Sequence, residues 1–165
     1  YAQEMEIRDF IVTNSSTDLL LFFTISNAFT PEIEEGIHNG IPVTFTFFVE
    51  LTSIRKGWID REEVSLSFEH SLAYDTLKEE YHITSSANSM QLSITKSLKE
   101  AKSLMAEVNG FRLYPLPRLV ADAEYSLRVK ARLAKKTLPL FFNYLVPFGS
   151  FWDFDTDWYE TEFRY

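Results

Sequence analysis

Cysteine is absent from the 165-residue chain, which excludes disulfide cross-links, a thiolate nucleophile and any zinc site built on cysteine. Glycine is scarce, at 5 residues, and neither a Gly-rich phosphate loop nor a GxSxG nucleophile elbow occurs. No run approaches the ~18–20 consecutive apolar residues of a membrane-spanning helix. Positive charge is the minority sign: 16 Lys and Arg stand against 24 Asp and Glu, a formal net charge of −8. Nucleic acid is held by a positive surface that displaces counterions, so general nucleic-acid binding is excluded. The apolar content of 45% and charged content of 24% are those of a globular protein and exclude disorder. The length suits one domain, spanning residues 1–165.

Aromatic residues are abundant by contrast: 15 Phe, 8 Tyr and 3 Trp. Many sit in alternating runs that read as strands. Glu6 to Val12 and Leu19 to Ser26 flank a turn at Asn14 to Asp18, and the second run is apolar on both alternations, as in a strand covered on both faces or one with a helix over its outer side. Val43 to Leu51 alternates Val43, Phe45, Phe47, Val49 and Leu51 with Thr44, Thr46, Phe48 and Glu50. Val64, Leu66 and Phe68 follow, and His70 and Leu72 continue their phase. Tyr81 to Thr84 and Met90 to Thr95 predict a hairpin, and Pro115 and Pro117 confine Phe111 to Tyr114 to an edge or extended segment. Tyr125 to Leu133 alternates cleanly with Ser126, Arg128, Lys130 and Arg132, and Tyr159 to Tyr165 can add a last strand.

Helix signals are few. Thr30-Pro31-Glu32 reads as an N-cap followed by proline and an acidic first turn. Ser97-x-x-Glu100 is a capping box ahead of an apolar stripe from Leu98 to Val108, which Asn109-Gly110 is expected to close. A short helical turn is expected at Asp75 to Glu80. About nine strands with two or three short helices predict a mainly β protein, an antiparallel β-sandwich. The competing layout is α+β, one curved antiparallel sheet with helices on one face.

The chemistry-bearing residues form no catalytic signature. His38, His70 and His82 lack metal-ligand spacing, and His70 falls on a buried phase, where a hydrogen-bonded core imidazole is the plain reading. Asp153-x-Asp155-x-Asp157 resembles the start of a calcium loop, with Asp153, Asp155 and Asp157 as candidate ligands. Trp158 stands where the turn glycine belongs and Arg164 where a bidentate Glu belongs, so a solvated acidic turn is the stronger reading. Arg128, Lys130 and Arg132 form a basic stripe on one strand face, suited to a carboxylate-rich partner or anionic lipid, or else balanced by acidic neighbours across the sheet.

The C-terminal segment is the feature composition explains least, since 11 of the 28 residues from Leu138 to Tyr165 are aromatic. Its rings either plug the sandwich or, because Pro139, Pro147 and Gly149 interrupt Leu138 to Trp152, face outward as a contact surface. Phe141, Phe148, Phe151, Trp152 and Trp158 are the candidate contacts.

Several short motifs recur in order along the chain: Asn39-Gly40-Ile41-Pro42, Trp58 after Arg55-Lys56, Tyr74-Asp75-x-Leu77-x-x-x-Tyr81, Leu138-Pro139-Leu140, Trp152 and Asp157-Trp158. In this the sequence resembles a bacterial exported family of uncharacterised proteins, domain of unknown function four-three-nine-zero. The resemblance implies a removed leader and a periplasmic mature domain, and carries no catalytic residue with it. The expectation is a non-enzymatic binding or accessory domain without a cofactor. It would meet a protein partner or membrane surface through its aromatic end. The alternative is a carrier holding a small apolar ligand or lipid between its sheet faces.

Overall fold

The computed structural model describes residues 4–135 and 154–165. Chain order is β1 (Glu6–Asn14), β2 (Asp18–Ser26), α1 (Pro31–His38), β3 (Val43–Ile54), β4 (Arg61–Asp75), β5 (Glu80–Ser85) and β6 (Gln91–Thr95). There follow α2 (Leu98–Ala106), β7 (Glu107–Pro115), a 3₁₀ turn (Leu116–Arg118), β8 (Glu124–Lys135), β9 (Phe154–Asp155) and β10 (Tyr159–Arg164). The fold is mainly β, an antiparallel sandwich of a small sheet, β1-β2-β7, and a larger one, β10-β8-β3-β4-β5-β6, with β9 also paired to β8. No helix among the described residues is long and apolar enough to cross a membrane.

Strand β3 organises the large sheet because its side chains alternate without a fault. Phe45, Phe47, Val49 and Leu51 are wholly buried, and each contributes roughly 1.5–3 kcal/mol by leaving water. Its neighbours β4 and β8 supply inward Phe68, His70 and Leu72 on one side, and Leu127, Val129, Ala131 and Leu133 on the other. Phe23 on β2 meets Phe47 edge to face at 5.5 Å, and Phe111 on β7 stacks on Phe68 at 4.1 Å. Rings from both sheets thus fill the space between them.

The small sheet is too narrow to cover the large one, and the helices close the remainder. α2 packs on β4, β5 and β6, and α1 packs on β4. Both caps form as expected: the Thr30 hydroxyl accepts the Ile33 amide at 3.4 Å, and the Ser97 hydroxyl accepts the Glu100 amide at 3.2 Å. The reciprocal half of the capping box is rerouted. Glu100 Oε2 accepts the Thr95 hydroxyl at 2.8 Å, and Thr95 Oγ1 accepts the Ser97 amide at 3.1 Å.

Three expectations need correction. α2 ends at Ala106, not at Asn109-Gly110, because Val108 pairs with Phe23 in the small sheet and Gly110 sits at a bulge of β7. Asp75 to Glu80 is a hairpin turn rather than a helical one: Asp75 Oδ1 accepts the Leu77 and Lys78 amides at 2.9 and 3.0 Å, and Leu77 is exposed. β2 is covered fully on one face only, with Leu20, Phe22 and Thr24 half-buried on the other. The described strands number ten, close to the expected nine or so, because the last one arrives in two pieces. Leu138 to Trp152 lies outside the described residues.

Candidate interaction surface on the outer face of the large sheet

The even positions of β8 point away from the core and put Arg128, Lys130 and Arg132 in one row. Antiparallel register sets each against a defined neighbour. Arg128 lies between Glu50 of β3 and Glu160 of β10, Lys130 lies beside Phe48, and Arg132 lies between Thr46 and Asp155. Arg128 Nε donates to Glu50 Oε2 at 2.5 Å, and that hydrogen bond raises the guanidinium pKa. Arg132 Nε donates to Asp155 Oδ1 at 2.8 Å, and Lys130 Nζ reaches Asp155 Oδ2 at 3.2 Å. These two cations, Arg132 first, hold the Asp155 carboxyl below its ordinary range. The basic stripe is therefore largely balanced by acidic side chains across the sheet.

Between β9 and β10 the chain is pinned by Thr156. Its amide donates to the Ala131 carbonyl at 2.8 Å, and its buried hydroxyl accepts the Ala131 amide at 3.0 Å. This clamp interrupts the strand and turns Trp158 back over the sheet. The indole lies 4.2 Å from the Arg128 guanidinium and 5.8 Å from Lys130 Nζ, while Arg132 stands 5.5 Å over the Phe48 ring. Phe48, Glu50, Lys130, Arg132 and Trp158 border an open groove of about 430 Å³ that Ser65, Leu66 and Ser67 also line. Trp158 keeps 37% of its surface exposed.

Of the candidate contacts, Trp158 is on this face. Phe141, Phe148, Phe151, Trp152 and Asp153 lie outside the described residues. Asp155 is committed to Arg132 and Lys130, and Asp157 is exposed. His70 is the core imidazole its phase implied, buried and bonded to the Met105 carbonyl. Sequence reasoning passed over Phe48 and Glu50; the signal was a phenylalanine on the polar phase of an otherwise regular strand. It also passed over Asp75, Glu80 and His82, whose ligand-type atoms lie within 4.8 Å of one another at the β4–β5 hairpin. Residues 80 and 82 share a strand face, a spacing of two rather than the helical four. There His82 Nε2 lies 2.9 Å from Glu80 Oε1.

Residues 2–162 match the family described as Domain of unknown function (DUF4390). The chain belongs to that family. No curated protein and no solved structure matches it significantly. In this DUF4390 chain the signature residues have mixed fates. Trp58 projects from the β3–β4 hairpin, whereas Tyr74 and Tyr81 pack on each other across β4 and β5 with ring centroids 4.7 Å apart. Asp157-Trp158 forms the exposed corner just described.

Proposed function

We propose that this domain is a non-enzymatic binding or accessory module of the bacterial periplasm, and that the outer face around Trp158 is its contact surface for a protein partner. The observation that carries the reading is the seating of Trp158 on Arg128 beside a groove that Phe48 and Arg132 wall. Aromatic and arginine side chains held rigidly in a partly open groove are the residues that dominate protein interfaces. Because Glu50 and Asp155 already balance the cations, and the chain carries a net charge of −8, attraction to anionic lipid is weak. A protein segment suits the face better than a bilayer. The aromatic residues Phe141, Phe148, Phe151 and Trp152 join this proposal on sequence alone. The carrier alternative has less support, since rings of the two sheets already touch across the interior.

The test compares the parent chain with a Phe48→Ser/Trp158→Ser variant by affinity capture from a periplasmic extract and by flotation with phosphatidylglycerol-containing vesicles. The expected result is a partner retained by the parent and lost from the variant, with unchanged far-UV circular dichroism. Equal capture by both proteins would overturn the assignment of this face. Vesicle binding without a protein partner would replace the protein by a membrane.

A further inference from the structure

A β-sandwich must manage the edges of its sheets, where unpaired N–H and C=O groups invite another strand. Among the described residues there are four such edges. β1 carries Glu6, Arg8 and Asp9 and is bulged between Arg8 and Ile11. β7 carries Glu107 and Arg112, two register shifts and a terminal Pro115. The β9–β10 edge is broken at Thr156 and bears Glu160, Glu162 and Arg164. Each of these three has the charges, bulges or proline that block strand addition.

β6 has none of them. Gln91-Leu92-Ser93-Ile94-Thr95 is uncharged, contains no proline, and pairs with β5 in unbroken register. Its outward row is also apolar: Leu92 is 59% and Ile94 53% exposed, with Met90 just before them at 78%. An edge of this kind is costly to leave in water, and among the described residues β6 is the one edge that has it.

We infer that β6 is a homodimer interface, at which a second copy of this chain adds its own β6 antiparallel across a two-fold axis at Ser93. The strand is complementary to itself in that register. Leu92 falls opposite Ile94 of the other copy in both halves, Gln91 falls opposite Thr95, and the methylenes of Lys96 face Met90. Any offset by one residue would set apolar side chains against the polar, inward-facing row. Charge favours the same edge. Two copies carrying −8 each repel, and β6 is the edge strand where no carboxylate enters the contact. A two-fold pairing is closed, so it consumes the exposed edge of both copies and gives a dimer instead of a fibre. The large sheet then runs without a break from one β10 to the other.

The experiment is sedimentation equilibrium of the 165-residue chain over a range of concentrations, with two variants. The parent is expected to show a concentration-dependent mass twice that of the monomer. Leu92→Lys/Ile94→Lys, which alters exposed side chains, is expected to remain monomeric with an unchanged far-UV spectrum. In this cysteine-free chain Ser93→Cys is expected to form a disulfide-linked dimer on oxidation, while Ser65→Cys on the outer face of β4 does not. A parent that stays monomeric at every concentration overturns the inference, as does a dimer that survives both lysines. A Ser93→Cys chain that cross-links no faster than Ser65→Cys overturns the register.

Discussion

The His70 ring, on β4, lies with Nδ1 2.9 Å from the carbonyl of Met105, at the end of α2. The carbonyl can only accept, so Nδ1 carries the proton and donates, and the neutral imidazole ties the helix to the large sheet. Burial pushes the His70 pKa below its ordinary value, outweighing the opposing effect of that backbone bond.

Stability should therefore fall as pH drops through about 6.5, the unfolded value for histidine. Below it the unfolded chain takes up a proton at residue 70 more readily than the folded one, so the unfolded state is favoured by mass action. Urea unfolding at pH 7.5 and pH 5.5 measures this. In His70→Gln the drop between those two pH values is expected to shrink, because residue 70 no longer takes up a proton on unfolding. An unchanged drop would mean that His70 is not its source.

Thr156→Val should lower stability by roughly 1–3 kcal/mol, since it leaves the buried Ala131 amide without its acceptor. Thr156→Ser keeps the hydroxyl and should recover most of the loss. Because the clamp places Trp158, the valine variant is also expected to shift indole fluorescence toward the emission of a solvated ring. Urea titration followed at two wavelengths separates the two effects. A valine variant as stable as the parent would mean that Ala131 finds another partner.

Gly110 occupies the β7 bulge at φ +83°, with the Phe22 ring 3.5 Å from where a Cβ would stand. That distance is ordinary contact, so the cost of Gly110→Ala is backbone strain, about 1–2 kcal/mol. For a chain of this size the melting temperature should fall by roughly 2–8 °C. Gly110→Asn should cost less than Gly110→Ala, because asparagine tolerates positive φ better. Calorimetry of the two variants checks the order.

The sequence by itself determined what depends on near neighbours. Strict alternation in Val43 to Leu51 and Tyr125 to Leu133 announced one buried face per strand, and Thr30-Pro31 and Ser97 marked the helix starts. Side chains two apart must share a strand face, and an N-cap reaches its amide within one turn. The end of α2 needed the tertiary structure. Leu98 to Val108 keeps helical spacing, yet pairing of Val108 with Phe23 draws the last residues into a strand. So did the candidate surface: Glu50, Arg128 and Trp158 are brought together by strand order and by the Thr156 clamp, over sequence separations no local pattern reports. Cross-strand partners are chosen when whole faces compete for burial, and that competition is settled only once the sheets close on each other.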